Sequence, residues 1–217
     1  MVRKGMLPPG PGHRGTLWWQ FDEPRPAVSS ASVGGGAITV SWVLNIGVHH
    51  DYRRTDLDDH ASAMAHEIGL PGPGAAMFTA ASVEGVAHAD EDGVQAWATV
   101  GVTRPTWAAD RSQLATAGQR LPGTINALVV LPVHLAPGGL VQAAMTSVEA
   151  KAQACIEAGV TGTGTASDAV VVVGAAGTSA GTAEPFGGVR SVWGSRVALA
   201  VHAAVARGLA RERSGGT

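Results

Sequence analysis

Two carboxylates, two amides, an imidazole and a threonine-rich loop are the groups in this chain best suited to do chemistry. A run of glycine and threonine, Thr161-Gly162-Thr163-Gly164-Thr165-Ala166-Ser167, leads through Asp168 into the apolar stretch Ala169 to Val173. That stretch is short and β-branched, the pattern of a buried strand. Glycine lets backbone N–H groups approach a ligand closely, and threonine adds hydroxyl donors. Thr163, Gly164 and Thr165 can therefore hold an anion or an oxyanion at a strand end; the plainer alternative is a tight turn. Asp168, at the junction, can polarise water or orient a hydroxyl, or it can cap the turn. Asn45 and Asn126 sit in or beside apolar strands, where an amide without partners is costly, and both are expected to contact ligand. Glu149 falls mid-helix among Gln142, Thr146 and Gln153. Partial burial would make it a general base; otherwise it belongs to a solvated helix face.

These residue types fit the hydrolysis of an amide, which needs a water made basic, donors for the oxyanion and an acid for the departing amine. His50, between His49 and Asp51, can serve as acid or base. No HExxH pair and no G-x-S-x-G elbow occurs in the sequence, so neither a zinc peptidase nor a serine hydrolase is signalled. No metal site is expected. Adjacent residues on a strand point to opposite faces, which separates His49 from His50, and six residues separate His60 from His66 around a helix. Cys155 lies on an apolar helical face and reads as a small core residue. Gly123-Thr124 ahead of a strand could mark a self-processing threonine nucleophile. An ordinary turn into the strand is the favoured reading, and the chain is expected to remain intact.

The elements that would position these groups are legible in outline. Ile38, Val40, Trp42, Leu44 and Ile46 alternate after Gly34-Gly35-Gly36, predicting a strand over 37–48. Asp56-Leu57-Asp58-Asp59 opens a helix whose face is Leu57, Ala61, Met64, Ala65 and Ile68, stopped by Gly69 and Pro71. Strands are predicted over 75–86, 95–103 and 125–131. A long helix follows Pro137-Gly138-Gly139, with Val141, Ala144, Val148, Ala152 and Cys155 as its apolar face and Gly159 as its stop. A last helix over 189–210 has packing spacing. The expected fold is α/β: a single mixed domain of two weakly repeat-like strand-helix-strand halves with a C-terminal packing helix. Residues 1–15 and 212–217 are expected to be flexible tails around a domain over 16–211.

Composition narrows the partners. The chain has 217 residues, with 15 Lys and Arg against 17 Asp and Glu. No clustered cations suggest nucleic acid. The single cysteine excludes an internal disulfide and fits a reducing compartment. No stretch approaches the roughly 20 apolar residues of a membrane span. A cytoplasmic protein is expected, and self-association is compatible with the sequence.

Four segments resemble the adenosylcobinamide amidohydrolase family. They are Asn45-Ile46-Gly47-Val48 with Tyr52; Met77 to Val83, including Thr79; Gly123-Thr124-Ile125-Asn126 with Glu149-Ala150-Lys151; and Thr163 to Val170. In order, they cover about residues 28 to 206. The sequence departs from the family pattern at Val100, where alanine is expected between Thr99 and Gly101, and matches little over 103–121. The resemblance implies cleavage of the amide between the corrin propionyl side chain and aminopropanol in adenosylcobinamide, in cobinamide salvage. It implies roles for Thr79, Thr124, Asn126, Lys151 and the loop around Gly164 in holding substrate. Cobalt would belong to the corrinoid, so no separate cofactor is implied. Two other functions fit the same residues: a corrinoid-binding module without catalysis, and an amidase for another small amide.

Overall fold

Eight strands of the computed structural model, which describes residues 2–112, 123–177 and 183–215, join one mixed sheet. The elements run β1 (Val2–Leu7), β2 (Thr16–Ser29), β3 (Gly36–Gly47), α1 (Leu57–Ile68), β4 (Gly74–Thr79), β5 (Ala87–Glu91), β6 (Val94–Gly101), β7 (Thr124–Val130), α2 (Pro137–Glu157), β8 (Ala169–Val173) and α3 (Val192–Gly215). The sheet order is β4-β3-β2-β8-β7-β6-β5, with β1 beside β2. Only β3–β4 and β7–β8 pair in parallel. Parallel neighbours need a crossover, and α1 and α2 supply the two. The mixed α/β domain with two strand-helix-strand units and a C-terminal packing helix is therefore present.

β2 joins the two units. It pairs antiparallel with β3 along its length and with β8 at Ala27 to Ser29, and its register with β3 shifts between Gln20 and Arg25. Such an irregularity bends a strand and increases its twist, which lets the sheet curl until its inner faces meet. Leu17, Trp19, Val43 and Met77 pack there with Trp97, Leu128, Val130 and Val171. On the outside, Ala61, Met64 and Ala65 of α1 cover Trp42, Leu44 and Ile46. On the other outer face, α2 and α3 cover Ile125, Val129 and Val172 with Ala143, Ala150, Val197 and Val201. Gly69 ends α1 in the left-handed conformation at φ 81°, its N–H turned back to the Ala65 and His66 carbonyls, as a glycine C-cap does.

Several expectations are revised. Residues 2–7 form an edge strand paired with Thr16 to Phe21; the Pro/Gly-rich signal comes from the connection after it, and exposed Arg3 and Lys4 hide the strand pattern. β4 ends at Thr79, before the residues 80–86 assigned to it from sequence. α3 continues to Gly215, past the expected boundary at 211, while residues 216 and 217 lie outside the described ones. On α2, the buried face includes Leu140, Ala143, Thr146, Ser147, Ala150, Ala154 and Cys155, and Val141 and Val148 point outward. Small side chains allow the helix to lie close to both the sheet and α3, so the bulkier stripe is not the packing stripe. No helix among the described residues is long and apolar enough to cross a membrane.

Candidate active site

The inner face of the curled sheet changes character at one end. Alternation along each strand carries the apolar core outward and then replaces it with polar side chains: Val43 gives way to Asn45, Met77 to Thr79, Trp97 to Thr99, and Leu128 to Asn126 and then Thr124. All five polar residues are buried. The Asn45 Nδ2 donates to Thr99 Oγ1 at 2.9 Å. The Asn126 Nδ2 donates to Asn45 Oδ1 at 2.9 Å and to the Phe78 carbonyl at 3.0 Å, tying β7 to β3 and β4 across the interior. Thr79 Oγ1 accepts the Ala81 N–H at 3.1 Å. The Asn126 Oδ1 has no hydrogen-bond partner among the described residues. Both amide protons of Asn126 are engaged, which fixes the orientation of the side chain, and a buried acceptor left open is uncommon in folded proteins.

Beside this layer, Asp168 organises the Gly/Thr loop. Its Oδ1 accepts the Ile125 N–H at 2.8 Å and the Thr165 hydroxyl at 2.5 Å. Its Oδ2 accepts the Thr165 N–H at 3.0 Å and forms an ion pair with Lys151 Nζ of α2. Four donors thus surround one carboxylate, tying β7, the loop and α2 together. The Thr165 donors offered by the sequence for an oxyanion are the ones that Asp168 engages. Thr163 donates its N–H to the Thr106 carbonyl at 2.9 Å, and Thr106 donates to the Gly164 carbonyl at 2.8 Å. A Cβ at Gly164 would collide with the Asp168 carboxylate and the Lys151 ammonium, so this glycine is needed for space.

Two hydroxyls stand between the loop and the strand. Thr124 Oγ1 lies 2.7 Å from Ser167 Oγ and 2.7 Å from the Gly123 carbonyl oxygen, to which Ser167 also donates at 3.1 Å. Gly123 adopts φ 118°, a conformation that a side chain would strain. It lines a cleft of about 430 Å³ together with Arg14, His50, Ala81, Gly101, Thr103 and Arg211. Gly101 pairs with Thr124 and Thr99 with Asn126, so the cleft lies next to the end of the polar layer. His49 lines an adjoining groove with His13 and Arg14, and the two neighbouring imidazoles therefore serve different recesses.

The structure brings Asn45, Thr79, Thr124, Asn126, Lys151, Thr163, Gly164, Thr165 and Asp168 into one connected region, with His50 at its opening. Glu149 is not among them. It is exposed and lines a separate groove with Gln142, Met145, Phe186 and Arg190. Ser167, Thr99 and Arg14 belong to the region and were not singled out from sequence. Alternation along β6 could have placed Thr99 inward with Trp97, whereas Arg14 fell in the supposed tail. Away from the cleft, burial pushes the His60 imidazole pKa down, and burial pushes the Cys155 thiol up. His60 Nδ1 lies 2.7 Å from the Tyr52 hydroxyl, and both rings flank Phe78.

The fold resembles that of the PH0078 protein from Pyrococcus horikoshii OT3, with a TM-score of 0.55 at 12% identity over 95% of this chain and 83% of that one. It also resembles a Burkholderia sp. beta-aminopeptidase, with a TM-score of 0.53 at 14% identity over the same shares of the two chains. The chain belongs to the adenosylcobinamide amidohydrolase family, whose model matches residues 10–216. It is 24% identical over 186 residues to the adenosylcobinamide amidohydrolase of Methanosarcina mazei, covering 83% of this chain and 88% of that protein.

Proposed function

We propose that this chain hydrolyses the amide between the corrin propionyl side chain and aminopropanol of adenosylcobinamide, yielding adenosylcobyric acid and the amino alcohol for cobinamide salvage in the cytoplasm. Family membership supports the reaction class. The observation that carries the location is the buried Asn45–Asn126–Thr99 layer, with its open acceptor, next to the cleft of His50 and Gly123. Amides placed in a core cost stability without partners, and here Asn126 lies three residues along from Gly123, which lines the opening. Adenosylcobinamide with its side chains and adenosyl group is larger than this cleft, so in this reading most of the corrinoid stays outside and the side-chain amide enters.

In this reading, His50 takes a proton from water as the water oxygen adds to the amide carbon. The Thr124 and Ser167 hydroxyls rotate their protons from the Gly123 carbonyl toward the developing oxyanion. His50 then returns its proton to the amide nitrogen as the C–N bond breaks, which releases the amine and leaves the acid. Asp168 and Lys151 are positioning residues that hold the loop carrying Ser167. The test is incubation with adenosylcobinamide, followed by chromatography for adenosylcobyric acid. His50→Ala is expected to lower kcat by about 100-fold or more. Binding without product would favour a corrinoid-binding module, and equal turnover of amides lacking the corrin ring would favour a general amidase.

One contact favours a second route. Thr124 Oγ1 sits 2.7 Å from the carbonyl oxygen of its own preceding residue. Addition of that hydroxyl oxygen to the Gly123 carbonyl carbon, with the C–N bond breaking and the proton passing to nitrogen, would give an ester. Water would then hydrolyse the ester, leaving a Gly123 carboxylate and a free Thr124 amine able to act as base for its own hydroxyl. Denaturing mass spectrometry decides between the routes. A single species at 21.9 kDa keeps water as the nucleophile, and two fragments split before Thr124 replace it.

A further inference from the structure

The outward face of α2 and the segment leading into α3 carry large apolar side chains that no other described residue covers. Val141, Met145 and Val148 project from α2, Phe186 and Val189 from the segment before α3, and Val192 from its first turn; Met145, Phe186 and Val192 are 67%, 62% and 64% exposed. The Thr146 hydroxyl donates to the Gly187 carbonyl, and the Gly187 N–H donates to Gln142, which holds the two elements side by side. These six side chains leave on the order of 550 Å² of apolar surface bare. A monomer's largest patch is typically about 300–600 Å², and a specific interface takes about 800 Å² from each partner. With its polar rim of Gln142, Glu149 and Arg190, this face reaches that size at about the apolar share of an interface core.

We propose that this face binds a second copy of the same chain. Val141, Met145, Val148 and Ala152 follow steps of four, three and four residues, the seam spacing with which one helix meshes against another at a shallow angle. A stripe that meshes with its own copy suits a two-fold interface, where the same patch serves both partners. The charges are self-complementary as well. Glu149 and Arg190 line the same groove, both are exposed, and neither forms an ion pair with another described residue. A two-fold axis through the groove sets Glu149 of each copy against Arg190 of the other.

Sedimentation velocity on the full chain tests this. At roughly 10 μM, a concentration at which micromolar self-association is populated, the expected species has twice the 21.9 kDa chain mass. Met145→Glu and Phe186→Glu should each weaken self-association by at least about 30-fold, as loss of an interface anchor does, with an unchanged circular dichroism spectrum. Glu149→Arg should weaken it, and adding Arg190→Glu should restore it. A wild-type monomer at that concentration, or a dimer indifferent to Met145→Glu and Phe186→Glu, overturns the interface. Failure of the double charge exchange to restore association overturns the two-fold arrangement.

Discussion

Asp168 and Glu149 flank α2 from opposite sides. Lys151 reaches Asp168 from one side of the helix, and Glu149, two residues earlier and so about 200° around the axis, projects from another. Asp168 has both oxygens taken by donors from three different elements. Glu149 faces an open groove and apolar neighbours. The contrast shows that a carboxylate's neighbours, more than its place in a motif, determine what it can do. A carboxylate surrounded by donors serves as a fastening, and one left open can meet a partner.

Three substitutions would break or sharpen that contrast. Asp168→Ala should have the largest effect, because it strands the Lys151 ammonium where both side chains are only 13% exposed. Breaking such a pair costs about 3–5 kcal/mol, measurable by urea unfolding, and turnover of adenosylcobinamide should fall by at least ~100-fold as the loop loses its position. Gly164→Ala disturbs the same fastening through volume and should cost roughly 1–3 kcal/mol, seen as a lower unfolding midpoint. Glu149→Gln should change monomer stability by less than about 0.5 kcal/mol and turnover by less than Asp168→Ala does. A comparable loss of turnover would return Glu149 to the reaction.

The fold was legible where alternation or helical spacing was undisturbed: β3, α1, β7, α2 and β8 lie close to where their patterns place them. β2 was hidden because Asp22, Glu23, Pro24, Arg25 and Pro26 interrupt its pattern at the bend. A proline-bearing irregularity is compatible with a strand there, but nothing local announces it. The packing face of α2 was misread because it carries two candidate stripes, and the choice depends on how closely the sheet and α3 approach. The region of the candidate site was legible because buried asparagines and a glycine-threonine loop are costly features. The occupation of Asp168 was not, since it depends on Ile125 and Lys151 arriving from elsewhere in the chain.

The long strand β2 carries a consequence for how the molecule comes into being. Ala27 pairs with Val173, so the strand that unites the two crossover units cannot complete its pairing until β8 has been synthesised. Contacts between residues so far apart in sequence slow folding. Each unit can form its own parallel pair beforehand, while the buried polar layer, built from β3, β4, β6 and β7 together, exists only after that late closure.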